Sequence, residues 1–342
     1  MTTRVSVAVG GRAPAVLAVG VWIALAALLL GQPATMGAAQ QARPSSGSAL
    51  ETLHVQGAVH VIAGGGANVV VQVGPVGTVV VDPGLPASAA SVLEAIGRLS
   101  KTPIRFIINT HAHEDHVGAN DAVGASGAGI GSRAVTTVGS GQVGRPDIIA
   151  HASVLDRMSG QESRFPVGSW PTSTYTLDEK TVFVNGEAIQ IVHQPSAHTD
   201  GDSLVFFRRS DVIAAGDLYS TETYPIIDAD HGGSITGVVA GLNRLLALAV
   251  SGEKVEGGTM IVPGHGRISD EADLVEYRDM VTIVRDRVRN LAGKGMTLAQ
   301  VQASRPTLEY DGLYGSAHGW TAAQFVEAVY RTLTSKSGPS AP

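Results

Sequence analysis

Thr110-His111-Ala112-His113-Glu114-Asp115-His116-Val117-Gly118 is the stretch on which the fold turns. It follows directly on Ile104–Asn109 (IRFIIN), an apolar run of strand length. In an extended segment residues i and i+2 point the same way, so His111 and His113 can present their imidazoles to one ion. Asp115 and His116 fall where the chain turns toward a helix, within reach of a second position beside the first. The chain contains no cysteine, so any metal must be held by His, Asp or Glu. Zinc accepts imidazole nitrogen and carboxylate oxygen when thiolates are absent.

Further candidate ligands recur downstream at the ends of apolar runs. His198 lies in Ser196-Ala-His198-Thr-Asp-Gly201-Asp202, between the strand candidates Ile189–His193 and Ser203–Phe207. Asp217 follows Val212–Ala215 in Ala215-Gly216-Asp217. His265 follows Met260–Val262 in Pro263-Gly264-His265-Gly266. Loops at strand ends are where α/β proteins place their sites, and neighbouring glycines let backbone approach closely.

The rest of the pattern is consistent with that class. Asn68–Val73 and Thr78–Val81 are β-branched runs separated by Gly74-Pro75 and closed by Asp82-Pro83-Gly84, which predicts a hairpin and a turn. Ala87–Leu99 and Thr236–Val250 carry apolar residues at helical spacing, and Asp147–Ala150 with His151–Met158 reads as strand then helix. The tail is expected to be helical over Asp270–Leu291, Thr297–Ser304 and Thr321–Ser335. Ser126–Pro146 is a Gly- and Ser-rich loop, and no internal repeat is visible. Strands interleaved with helices indicate an α/β architecture. With 342 residues, 44% of them hydrophobic, the chain can bury a sizeable core.

The N-terminus is set apart. Arg4 and Arg12 precede the apolar run Ala13–Leu30, a small-residue stretch ends at Ala38-Ala39, and no acidic residue occurs before Glu51. This describes a secretory signal peptide over residues 1–39, followed by a linker over residues 40–50. The expectation is export to the periplasm or medium; the alternative is a membrane anchor formed by an uncleaved segment. Cleavage after Ala39 removes two arginines and takes the formal charge from −6 to −8. An acidic domain lacks the basic surface that nucleic-acid binding needs, so the expected partner is a small-molecule substrate. Membrane contact is expected only through the signal segment.

Four motifs in this order, His111-x-His113-x-Asp115-His116, His198-Thr-x-Gly201, Gly216-Asp217 and Gly264-His265, resemble the metallo-β-lactamase superfamily. The resemblance covers about Glu51 to Ile268. Ile148-Ile-Ala-His151, Tyr224-Pro-Ile-Ile-Asp228 and the C-terminal helices are similar to a large bacterial branch of these hydrolases. It implies an α/β (α+β) four-layer αββα sandwich over residues 51–268, with residues 269–342 as a helical extension packed on the same domain. Carried over by motif, His111, His113 and His198 resemble the ligands of a first metal. Asp115, His116 and His265 resemble those of a second, and Asp217 resembles the carboxylate that bridges both ions in glyoxalase II-like members. Asp82 resembles the aspartate at the end of the family's second strand, which orients a ligand histidine; the alternative is a turn residue before Pro83-Gly84.

The implied cofactor is two zinc ions per chain, with iron as the alternative. The implied chemistry is hydrolysis of an amide, lactam, ester or thioester carbonyl by a metal-bound hydroxide, with Asp115 orienting or deprotonating the nucleophile. Tyr219, Tyr224 and His231, in the loop after Asp217, are candidate substrate contacts; the alternative is a packed loop. His54, His60, His318, His151 and His193 are expected to be structural, and Trp320 with Thr321–Ser335 a docking helix. Three rivals remain. A true β-lactamase fits export, but such enzymes usually lack a bridging aspartate where Asp217 stands. A mononuclear iron oxidoreductase of the persulfide-dioxygenase kind uses two His and one Asp. A non-catalytic accessory protein would carry a degraded ligand set. Glyoxalase II and RNA processing are disfavoured by the signal segment.

Overall fold

The computed structural model describes residues 50–129, 144–252, 254, 257–315 and 319–335. Contacts divide the chain into Met1–Gln41 and Ala42–Pro342, and all the described residues belong to the second unit. The expected signal segment, His318 and most of the Ser126–Pro146 loop lie outside the described residues.

Two sheets are present. The first has seven strands in chain order: β1 (Glu51–Gln56), β2 (Val59–Ala63), β3 (Val69–Gln72), β4 (Thr78–Val81), β5 (Ile104–Ile108), β6 (Asp147–His151) and β7 (Ser173–Tyr175). β1 to β4 pair antiparallel; β4 to β7 pair parallel. The second has five: β8 (Glu179–Val184), β9 (Glu187–Gln194), β10 (Asp202–Phe207), β11 (Val212–Ser220) and β12 (Met260–His265). Their order is β12-β11-β10-β9-β8, antiparallel except for the parallel β11–β12 pair. The helices are α1 (Ala89–Leu99), α2 (Glu114–Val117), α3 (Asn120–Ala125), α4 (Ala152–Ser159), α5 (Ile235–Leu248), α6 (Glu271–Gly293), α7 (Leu298–Ala303), α8 (Asp311–Tyr314) and α9 (Ala322–Thr334).

Period-2 alternation assigns each strand residue to a layer. On β3 and β4, Val70, Val79 and Val81 face the second sheet, where they meet Val205, Phe207, Val212 and Ala214. Their neighbours Val69, Val71 and Val80 face outward onto Val92, Ala95 and Ile96 of α1. The second sheet repeats the arrangement: Leu204, Phe206, Ile213 and Ala215 turn away from the first sheet onto α5, α6 and α9. The result is an αββα sandwich, as the sequence led us to expect. Both faces of the central strands are buried, which is why they read as continuous apolar runs. Truncating one such side chain, Ile108→Ala for example, should cost about 2–5 kcal/mol.

The C-terminal helices belong to the same outer core. Leu274, Tyr277, Val281 and Val284 of α6 and Phe325 and Val329 of α9 are buried with Leu242 and Leu245 of α5. Their starts are set by side-chain caps at Asp270, Thr297 and Thr321, the last two completed as capping boxes by Gln300 and Gln324. No helix among the described residues is long and apolar enough to cross a membrane.

β11 runs further than expected. Its pairing with β12 slips between Ala214 and Gly216, where Gly216 takes φ +52°. A side chain at Gly216 would place Cβ 2.7 Å from Thr110 Oγ1, so the irregularity needs glycine. It carries Asp217 to the sheet edge at which β5 and β12 also end.

Candidate metal centre

The site is assembled at that edge from five segments. The turn between β5 and α2 brings His111 and His113, and α2 brings Asp115 and His116. The β9–β10 loop brings His198, β11 brings Asp217, and β12 ends on His265. All seven sequence candidates converge. His111, His113, His198 and Asp217 form one cluster of potential ligand atoms, and Asp115, His116 and His265 form another.

The hydrogen bonds behind the histidines fix their tautomers. His113 Nε2 lies 3.0 Å from Asp228 Oδ2, and an ionised carboxylate only accepts, so Nε2 carries the proton and Nδ1 the lone pair. His198 Nδ1 donates to the Ile226 carbonyl at 2.7 Å, which leaves its lone pair on Nε2. His116 Nδ1 donates to Asp82 Oδ2 at 2.8 Å, again leaving Nε2. Thr110 Oγ1 donates to Asp82 Oδ2 at 2.6 Å, so its own lone pair accepts from His111 Nδ1 at 3.1 Å and frees His111 Nε2.

The freed lone pairs of the first cluster point at one another. His113 Nδ1 is 3.1 Å from His111 Nε2 and 2.9 Å from His198 Nε2. With no hydrogen left to lie between them these contacts are repulsive unless a cation sits among the nitrogens. Tetrahedral zinc with Zn–N bonds of about 2.0–2.1 Å sets neighbouring nitrogens about 3.3 Å apart, close to what the site offers.

Asp217 faces both clusters. Its Oδ2 lies 3.7 Å from His198 Nε2 and 3.9 Å from His111 Nε2, while its Oδ1 lies 3.1 Å from His116 Nε2 and 3.5 Å from His265 Nε2. Asp115 Oδ2 completes the second cluster, 3.1 Å from His265 Nε2 and 3.9 Å from His116 Nε2. His116 Nε2 and Asp217 Oδ1 are both buried and face each other at 3.1 Å. A shared cation satisfies such a pair. Gly264 makes the approach possible, since a Cβ there would fall 2.0 Å from Asp217 Oδ1.

Electrostatics prepares His111, His198 and the two carboxylates in their ligating forms. Burial, with the neighbouring His116, His198 and His113, holds His111 well below the usual imidazole range, and burial with His113 brings His198 down to about 4. Against the cost of burial, His116 and His265 hold Asp115 down to about 2, and Asp217 is likewise kept ionised. Neutral imidazoles and ionised carboxylates are what a divalent cation requires. Burial opposes charge on His116 and His265, but Asp217 and Asp115 outweigh it and raise both.

Asp82 combines its two expected roles. It closes β4 in the left-handed region, φ +51°, before Pro83 and Gly84. Its Oδ1 accepts from Thr110 N at 2.8 Å and its Oδ2 serves Thr110 Oγ1 and His116.

The substrate candidates divide. Tyr219 and Tyr224 are fully buried and are corrected to packing residues. Tyr219 meets Tyr277 edge-on at 5.1 Å, while Tyr224 stacks on Phe325 at 4.8 Å and donates to Asp311 Oδ1 at 3.0 Å. Both rings serve to dock the C-terminal helices. His231 is exposed, and its Nδ1 lies 2.5 Å from Asp228 Oδ2. Asp228 itself went unnoticed in the sequence; its nearest cue was its place in Tyr224-Pro-Ile-Ile-Asp228. Of the remaining histidines, His151 and His193 stack at 3.6 Å, and His54 and His60 meet edge-on across β1 and β2.

A two-sheet αββα sandwich with a His/Asp cluster at one edge is a fold that presents a candidate metal site. The family model described as the metallo-beta-lactamase superfamily matches residues 62–265, more than half the chain, and the chain belongs to that superfamily. No match emerges among curated proteins. Among solved structures, the stereoselective inverting sec-alkylsulfatase Pisa1 from Pseudomonas sp. is similar with TM-score 0.58 at 14% identity, over 82% of this chain and 50% of that one. The DIM-1 metallo-beta-lactamase is similar with TM-score 0.52 at 16% identity, over 69% of this chain and 98% of that one. At these identities the likeness is one of fold.

Proposed function

We propose that this protein is an exported, dinuclear zinc hydrolase acting on a small amide, lactam, ester or thioester. The superfamily's fold and the candidate His/Asp site support hydrolysis as the class. The observation that carries the dinuclear reading is Asp217, which offers one carboxylate oxygen to each cluster. It favours two ions over the single iron of the oxidoreductase alternative, and a full ligand set speaks against an accessory protein.

When bound there, two divalent ions supply a water acidified toward neutral pH and a Lewis acid for the carbonyl oxygen. The chain's own residues do the rest. Asp115, held ionised between His116 and His265, orients the attacking water. Asp82 and Thr110 keep the His116 and His111 rings from turning, so the site is organised before substrate arrives. His231, exposed beside His113 and Asp228, contacts the substrate at the mouth.

The test is hydrolysis of nitrocefin, a thioester and an aryl ester by the purified protein, before and after a chelator and after zinc is restored. The reading expects turnover of at least one, abolished by the chelator and recovered with zinc. Turnover indifferent to chelation would refute it. Preference among the three substrates separates a β-lactamase from a broader hydrolase.

A further inference from the structure

One element outside the ligand set governs how two of the ligands are held. The loop between β11 and α5 lies against the β9–β10 loop in backbone register. Asp228 N donates to His198 O at 2.9 Å, Asp200 N to His231 O at 3.0 Å and Ser234 N to Ala197 O at 2.9 Å. The packing is close enough that a Cβ at Gly233 would lie 2.2 Å from His198 O. From this loop Ile226 O accepts a hydrogen bond from His198 Nδ1 and Asp228 Oδ2 accepts one from His113 Nε2. The same Asp228 oxygen holds the exposed His231, whose backbone N–H returns to Asp228 Oδ1 at 3.1 Å. The His113, Asp228 and His231 side chains lie within ligand range of one another, but these hydrogen bonds already engage them. The second cluster is supported from elsewhere: His116 rests on Asp82, at the end of β4 in the other sheet.

We infer that Asp228 is the positioning residue of the first metal position, and that it makes occupancy of that position separable from occupancy of the second. The inference rests on the dinuclear reading. The physical cause is the tautomer of His113. A carboxylate facing Nε2 keeps the proton there and the lone pair on Nδ1, among His111 and His198. An amide in its place presents N–H groups as readily as an oxygen and no longer enforces that choice. It also withdraws the negative charge that makes the imidazole a stronger donor to the ion. Because Asp228 touches His113 and His231 but His116 answers to Asp82, its loss should be felt on one side of Asp217 only. Asp228 also fixes where the His231 imidazole stands relative to His113, which links the mouth of the site to the first position.

The experiment is zinc release from purified wild-type protein, Asp228→Asn and His231→Gln under titration with a chelator. It is paired with the absorption spectrum of the cobalt-substituted forms and the melting temperature of the metal-free forms. In Asp228→Asn one of two ions is expected to leave at about 10–100-fold lower chelator strength, the other as in wild type. The part of the cobalt spectrum due to the weakened position should fade, and metal-free melting should stay unchanged. His231→Gln, which keeps the carboxylate on His113, is expected to retain both ions. The inference is overturned if Asp228→Asn releases both ions as wild type does. It is also overturned if both weaken together with a fall in metal-free melting, or if His231→Gln loses the same ion, because loop order rather than the carboxylate would then be responsible. Wild-type protein that takes up no zinc would sink the dinuclear reading itself, and the inference with it.

Discussion

Asp82 and His116 are joined by a 2.8 Å hydrogen bond in which both partners are buried, and the carboxylate that makes it is also the acceptor for Thr110. One aspartate at the end of β4 therefore sets the orientation of His116 directly and of His111 through Thr110. Asp82→Ala should weaken metal binding by about 10–100-fold, and leaves Thr110 N without this buried acceptor, which should cost about 1–3 kcal/mol besides. Elemental analysis after dialysis, with thermal melting of the metal-free variant, checks both effects. A variant that keeps its metal and its stability would show that the contact is incidental.

Asp217 is expected to matter to both ions at once. Replacing it by Asn removes the charge that faces His116 and His265 on one side and His198 and His111 on the other. The variant should hold at most one ion per chain and lose hydrolytic activity by at least about 100-fold. Retention of two tightly bound ions would contradict the bridging role.

Gly264→Ala tests the same carboxylate from behind. The added methyl would lie 2.0 Å from Asp217 Oδ1, within a strand whose neighbours cannot yield far. Metal content should fall although no ligand has been changed, and circular dichroism should show the fold intact. Normal metal content in this variant would mean that Asp217 has room to move.

Tyr224→Phe separates packing from chemistry. The hydroxyl donates to Asp311 Oδ1 at 3.0 Å and lies 3.2 Å from Thr307 O, tying the loop after β11 to the C-terminal helices. Its loss should cost about 1–3 kcal/mol of stability, read by chemical denaturation. Metal content and the Michaelis constant should not change. A shifted Michaelis constant at unchanged stability would restore Tyr224 to the substrate wall.

His151 offers a pH test away from the ligands. Burial and the stacked His193 bring it down to about 4 from 6.5. Between those values the unfolded chain binds a proton that the folded protein does not, so stability falls as pH drops from about 6.5 toward 4. At pH 7 both states are neutral and the contribution is fully present. His151→Gln should therefore narrow the gap in melting temperature to wild type at pH 5 relative to pH 7. An equal gap at both pH values would refute the assignment.

The candidate ligand set was legible because its members fall in or beside loops at strand ends marked by local sequence, and His111-x-His113 needs only the two-residue period of an extended segment. The central strands were legible for the same reason: Thr78–Val81 is β4 to the residue. The C-terminal helices were expected over Asp270–Leu291, Thr297–Ser304 and Thr321–Ser335, and side-chain caps at Asp270, Thr297 and Thr321 start them in the structure. What stayed hidden depends on contacts far apart in the chain. β8 is an edge strand with Phe183 79% exposed, so it lacks the apolar run that marks the central strands. The extension of β11 to Ser220 follows from the slip at Gly216 against β12. Tyr219 and Tyr224 look like pocket residues until the packing of α6 and α9 over them is known. Asp228 acts on a histidine 115 positions earlier, and no local pattern encodes that pairing.

The most direct test of the account is the metal stoichiometry of the purified protein, measured by elemental analysis together with the protein concentration. Two zinc ions per chain, with at most one kept in Asp217→Ala, is the result the account expects. A single iron per chain, with Asp115, His116 and His265 dispensable for its binding, would contradict the dinuclear centre and bring the oxidoreductase reading forward.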